Sequence, residues 1–141
     1  MPRSLIPCVG AVVTDAQGRL LMIKRGHEPG AGLWSIPGGR IEPGETDAEA
    51  LVREMLEETS LTVAPGRLLG RVQRPGPGGA VIDIRDYAAT VVGGTPRPGD
   101  DAADVRWVAA GELDSLEITE GLIEALTDWG VLTPEPQVPA P

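Results

Sequence analysis

The chain has 141 residues, of which 41% are hydrophobic and 23% charged, a size and balance that suit one folded domain and exclude disorder along the whole length. Asp and Glu number 21 against 12 Lys and Arg, for a formal net charge of -9, so nucleic acid and anionic membranes are expected to be poor bulk partners. One Cys and one His cannot build a disulfide framework or the usual zinc cages, which leaves oxygen ligands for any metal.

With three Trp, one Tyr and no Phe, the core must come from Val, Ile, Leu and Ala. The first elements in chain order are two β-rich runs, 5–14 and 20–24, joined by the turn residues Asp15 to Arg19, a pattern that predicts a hairpin. The longest apolar run, 5–13, is broken by Pro7 and falls far short of the ~20 residues that span a bilayer, so a cytoplasmic location is expected. A Gly and Pro loop over 26–32 leads to a short strand at 33–36, which stops at Pro37-Gly38-Gly39.

Thr46, three residues before Glu49, forms a capping-box pattern with Asp47 well placed near the positive end of a helix dipole. The helix that follows carries Ala48, Leu51, Val52, Met55, Leu56 and Thr59 at helical spacing, predicting one apolar stripe. Further strands are expected at 61–64, 67–73, 81–92 and 105–109, and a second amphipathic helix at about 119–129. The Pro-spaced segment 133–141 can neither pair in a sheet nor continue a helix. One domain over 1–132 with a flexible tail is therefore expected.

Glu54, Glu57 and Glu58 stand at i, i+3 and i+4 on a face apart from the apolar stripe. Like charges at that spacing cost a helix ~0.2–0.5 kcal/mol per pair. The arrangement fits either a solvated acidic face or a hard divalent cation such as Mg²⁺, which prefers carboxylate, carbonyl and water oxygens. The surrounding residues decide between them: Gly39, five residues, Glu45, seven residues, then Arg53-Glu54-Met55-Leu56-Glu57-Glu58-Thr59-Ser60-Leu61.

This string resembles the Nudix box, G-x5-E-x7-R-E-U-x-E-E-x-G-U with U aliphatic, over residues 39–61, and departs from it only at Ser60, where the family has Gly. The flanking Leu33 to Gly38 and Arg106-Trp107-Val108 are similar to the family as well. Since that Gly most simply supplies a left-handed helix cap, Ser60 is expected to take the same conformation at a cost of ~1 kcal/mol. The resemblance implies an α/β fold, an α/β/α sandwich around a mixed β-sheet. It also implies an enzyme that uses Mg²⁺ or Mn²⁺ to cut the diphosphate of a nucleoside diphosphate derivative.

Carried over by position, Glu54, Glu57 and Glu58 are the expected metal ligands, with a backbone carbonyl at Gly38 or Gly39. Arg53 would orient carboxylates, and Glu45 would orient or assist the attacking water. Asp101, then Asp100, are candidates for a base or an extra ligand, with a polar turn as the alternative. Arg40, Trp34 and Arg25 are the substrate-binding candidates, although Arg40 also reads as a solvated strand end and Trp34 as core.

ADP-ribose or a nucleotide sugar is the first substrate expected, from Pro75 and Pro77 downstream of the box and from the Gly-rich loop. A (d)NTP pyrophosphohydrolase of the nucleotide-pool cleansing type is the alternative, and a non-catalytic nucleotide-binding module a further one. A small-molecule nucleotide is the partner implied, without nucleic acid or membrane; a homodimer is common for the family.

Overall fold

A computed structural model describes residues 4–28, 30–99 and 101–132; Asp100 and the segment 133–141 lie outside the described residues. The strands are β1 (Leu5–Val13), β2 (Leu20–Arg25), β3 (Trp34–Ser35), β4 (Gly38–Arg40), β5 (Thr62–Pro75), β6 (Val81–Gly93) and β7 (Ala102–Val108). The helices are α1 (Asp47–Thr59) and α2 (Leu122–Asp128). Among the described residues no helix is long and apolar enough to cross a membrane.

The strands form two sheets, a mixed one in the order β4-β1-β6-β5 and an antiparallel one in the order β3-β2-β7. The expected hairpin between the first two strands is thereby corrected, because β1 and β2 share only the Thr14–Leu20 bridge before they part. Both edges of β1 are already taken, by β6 in parallel and by β4 in antiparallel register. Being central and covered on both faces, β1 reads as an unbroken apolar run and not as an alternating one.

One core joins Val9, Ala11 and Val13 of β1 to Ala50, Leu51 and Met55 of α1. On the opposite face Val12 joins Leu20, Met22, Trp34, Leu122 and Leu126. The two helices thus cover the sheets from opposite sides, which produces the layered sandwich. Within α1 the apolar stripe is narrower than its spacing suggested: Ala50 replaces Ala48 in the core and Leu56 is exposed. Leu56 turns outward one residue after Met55, whose side of the helix meets β1.

The strands expected at 61–64 and 67–73 are one, since β5 runs through register shifts between Pro65 and Leu68 and between Leu68 and Gly70. Bulges of this kind accommodate a Pro and a Gly without ending the pairing. Pro75 closes β5, and Pro77 begins the 3-10 turn to β6, which gives both prolines a turn-forming role. The second helix is shorter than its pattern predicted, Leu122–Asp128, with Gly121 left-handed before it.

The start of α1 is fixed by the capping box: Thr46 Oγ1 accepts from Glu49 N–H, and the Glu49 side chain accepts from Thr46 N–H. Asp47 is tied to the sheet as well. It accepts Arg85 Nε and Nη2 at 2.6 and 2.7 Å, together with the Tyr87 hydroxyl. Tyr87 therefore anchors the helix through its hydroxyl. The Arg85 guanidinium, ahead of the Tyr87 hydroxyl, holds the Asp47 carboxyl below its ordinary value of 3.8.

A carboxyl lowered on folding adds stability above its unfolded pKa and loses it as pH falls through the folded one. Asp47→Asn is expected to cost about 1–2 kcal/mol at pH 7, with the gap to wild type closing as pH falls below the ordinary value of 3.8. Urea unfolding at pH 7 and pH 3 measures it, and an equal gap at both would show that charge is not involved.

At the far end Ser60 has φ 63° and ψ 14°, the left-handed cap that the box spacing predicted, and its N–H bonds to Leu56 carbonyl. It is the only non-glycine with positive φ among the described residues. Ser60→Gly is expected to stabilise by about 0.5–1 kcal/mol, measured as a rise in melting temperature; a fall would mean that the Ser60 side chain has a role of its own.

Candidate active site

The three glutamates leave α1 on the side that meets Gly38 and Gly39 of β4. Glycine is required at both positions. A Cβ on Gly38 would collide with the Val9 carbonyl, and one on Gly39 with the Glu54 carboxylate. With no side chain in the way, Gly38 N–H donates to Glu58 Oε2 at 2.9 Å. Gly38 itself pairs with Gly10 of β1, so both glycines are held by the sheet.

Arg53 organises the rest by spending all five of its N–H donors. Nε and Nη2 donate to Glu45 at 2.7 and 2.8 Å, Nη1 to Glu54 at 2.9 Å and Glu57 at 3.2 Å, and Nη2 also to Arg40 carbonyl at 2.9 Å. The guanidinium of Arg53 holds Glu45 down to about 2, and its own pKa rises through the bond to Glu45. Glu45 is therefore a fixed anion. It also accepts Glu42 N–H at 2.8 Å.

Burial acts on the other carboxylates in the opposite direction. It pushes Glu58 up to about 7 despite the Gly38 N–H bond, and it raises Glu54 despite Arg53. Glu57 is exposed. Glu54, Glu57 and Glu58 line a cavity of about 280 Å³ together with Gly99 and Asp101.

The wall opposite α1 comes from the loop before β7. Gly99 N–H donates to Glu58 carbonyl at 2.9 Å and Arg97 N–H to Thr59 carbonyl at 2.8 Å, satisfying carbonyls that the helix end leaves without partners. A Cβ on Gly99 would overlap Glu57 carbonyl. That close approach carries Asp101 to the cavity, where its exposed carboxylate lies 3.8 Å from His27 Nε2 and its carbonyl accepts Gly26 N–H. Spacing along the chain gave no sign of Gly99 or of the His27 contact, since both depend on a loop folding back over a helix end.

The substrate-binding candidates are dispersed. Arg25 is close enough to Glu58 to lower its pKa. The Arg40 side chain is exposed, while its carbonyl supports Arg53. Trp34 lies in the second core, 6% exposed, with Arg106 5.5 Å from its ring centroid. Neither Arg40 nor Trp34 is among the described residues lining the acidic cavity. A larger cavity of about 420 Å³ between β5, β6 and the end of α2 includes Thr14, Arg67 and Trp129; its described lining has no carboxylate to do chemistry.

Among the described residues no three acidic side chains converge on one point in these conformations, because Arg53 draws Glu54 and Glu57 while Gly38 holds Glu58. The donor set nevertheless fits a divalent cation. It is all oxygen, lines one cavity, and includes two carboxylates whose charge is disfavoured by burial, a cost that a bound cation offsets.

Comparison with known proteins agrees with this geometry. A family model described as NUDIX domain matches residues 5–129. An ADP-ribose pyrophosphatase of Methanocaldococcus jannaschii is 36% identical over 120 residues, covering 83% of this chain and 70% of that protein. A putative 8-oxo-dGTP diphosphatase of Bacillus subtilis is 35% identical over 107 residues, covering 72% of this chain and 65% of that protein; the chain thus spans just under two thirds of its length. Among solved structures, a MutT protein from Methanosarcina mazei Go1 superposes with a TM-score of 0.78 at 22% identity, covering 92% of this chain and 96% of that one, a likeness of fold.

Proposed function

The chain belongs to the NUDIX family of diphosphohydrolases, and from that premise we propose that it uses Mg²⁺, or Mn²⁺ in its place, to cleave the diphosphate of a nucleoside diphosphate derivative. The observation that carries the proposal is the set of Glu54, Glu57 and Glu58 on one cavity, with Arg53 bonded to two of them and to Glu45. Those three glutamates, with a carbonyl at Gly38 or Gly39, would hold the cation. When bound, it neutralises diphosphate charge and lowers the pKa of water.

The chain's own residues do the rest. Arg53 aims Glu54 and Glu57, and Glu45 fixes Arg53. Asp101, on the opposite wall, would accept the proton of the attacking water or add a ligand. Arg25 and Arg40 would offset phosphate charge.

Two substrate classes share this chemistry, because both present a diphosphate to the same glutamates. Relatives with either name match this chain about equally. ADP-ribose would give AMP and ribose 5-phosphate, whereas a nucleoside triphosphate would give a monophosphate and pyrophosphate. A product assay over both classes with Mg²⁺ tests the proposal. Cleavage of either class at a diphosphate is the expected result, and nucleotide binding without cleavage in Mg²⁺ or Mn²⁺ would favour the non-catalytic module.

A further inference from the structure

Among the described residues four carboxylates stand within ion-pair distance of Arg53, those of Glu42, Glu45, Glu54 and Glu57, and Glu42 is the one that accepts no hydrogen bond from it. The backbone of Glu42 is nevertheless fixed. Its N–H donates to Glu45 Oε1 at 2.8 Å, and Glu45 N–H donates to Glu42 carbonyl at 3.0 Å, so the turn 42–45 is closed from both ends, with Gly44 at a positive φ of 86°. The Glu42 side chain is 62% exposed, and its Oε1 stands 3.7 Å from Arg53 Nη1, just beyond hydrogen-bond reach. Arg53 is its only ion-pair partner among the described residues.

Arg53 Nη1 carries two protons, and both are committed, one to Glu54 Oε1 at 2.9 Å and one to Glu57 Oε2 at 3.2 Å. In that state no three acidic side chains among the described residues converge on one point, so a cation in the cavity requires at least one glutamate to move. Glu57 moves at the lower cost. Its bond to Nη1 is the longer, and its side chain is 60% exposed against 16% for Glu54, whose carboxylate also fills the space in front of Gly39. The departure of Glu57 leaves one proton of a guanidinium that is 23% exposed without an acceptor, a loss that another acceptor within reach offsets.

We propose that Glu42 is a positioning residue for the cation-loaded site: as Glu57 turns from Arg53 to the cation, the Glu42 carboxylate closes the 3.7 Å gap and takes the Nη1 donor that Glu57 gives up. The inference rests on the cation reading above and deepens it. Arg53 thereby keeps an acceptor for every donor and stays in place behind Glu45 and Glu54, so the move of one exposed glutamate does not disturb the buried ones. Glu42 is suited to the exchange because its backbone is held to Glu45, the residue that also holds Arg53, while its carboxylate is committed to no hydrogen bond.

The experiment measures binding of Mn²⁺ alone, without nucleotide, by electron paramagnetic resonance for wild type, Glu42→Ala and Glu42→Gln, together with the melting temperature of each metal-free protein. Glu42→Ala removes the acceptor. It is expected to weaken Mn²⁺ binding roughly tenfold, the lower end of what groups behind metal ligands contribute, and to leave the metal-free melting temperature in place, because an exposed pair at 3.7 Å adds little to the fold. Glu42→Gln loses the same charge but keeps an oxygen that accepts Nη1–H, so it should recover part of the affinity. The Mg²⁺ concentration for half-maximal turnover should rise in the same order. Equal losses in the two variants would mean that Glu42 acts only through its charge on the cavity, which overturns the inference, and so does a lower metal-free melting temperature with Mn²⁺ affinity unchanged. A wild type that binds no Mn²⁺ removes the cation reading itself; tight binding by wild type and Glu42→Ala alike removes the exchange and leaves that reading standing.

Discussion

The Glu57→Gln, Glu58→Gln double variant is expected to lose at least a hundredfold in turnover with its fold intact. Glutamine keeps the shape of each side chain but removes the charge of two of the three glutamates that line this cavity, and amide oxygens bind Mg²⁺ far more weakly than carboxylates do. The fold has no reason to fail. Glu57 is exposed, and the Glu58 amide oxygen can still accept Gly38 N–H. Burial works against the charge of Glu58, so its removal relieves a cost and also ends repulsion between neighbouring carboxylates. Thermal melting with and without millimolar Mg²⁺ gives a second readout, in which the cation raises the wild-type melting temperature and leaves that of the variant in place. Near-normal turnover in the double variant would remove the metal assignment.

Arg53→Lys, conservative in charge alone, is expected to lower kcat by roughly 10–100-fold and to cost about 1–3 kcal/mol of stability. Lysine has three donors on one nitrogen and cannot reproduce the five directed bonds of the guanidinium to Glu45, Glu54, Glu57 and Arg40 carbonyl. The Glu54 and Glu45 side chains are only 16% and 17% exposed, so carboxylates that lose their donors also lose their offset for desolvation. A cycle with Glu45→Gln separates positioning from simple loss of charge. If Arg53 acts through Glu45, the two changes together cost much less than their sum. Additive losses, or a lysine variant with wild-type kcat, would show that Arg53 does not position the glutamates.

Much of the site was legible because its defining residues lie on one helix. Thr46, Glu49 and Ser60 mark where α1 begins and ends, and the spacing of Glu54, Glu57 and Glu58 follows from 3.6 residues per turn whatever the helix packs against. The left-handed Ser60 was legible through the resemblance, since the Nudix box carries Gly at that position. The pairing of Gly38 and Gly39 with the glutamates was legible only through resemblance. Their spacing in the chain carries no distance in space, and the reason for glycine, a collision with Val9 carbonyl and with the Glu54 carboxylate, exists only once β1, β4 and α1 have met.

The sequence by itself therefore determined the family and the helix that carries the acidic face. The tertiary structure decided which strands pair, and with them everything that depends on register. β1 and β2 read as a hairpin because local turn residues favour one. They separate because β1 gains two long-range partners, β4 and β6, that no window of residues reveals. The same register brings Asp86 between Gly10 and Gly70, and the bonds of Arg97 and Gly99 to the end of α1 bring Asp101 to the glutamates. Local spacing sets which face of an element a side chain occupies. Which faces meet is settled by burial of apolar surface and by competition for strand edges, and these act between residues far apart in the chain.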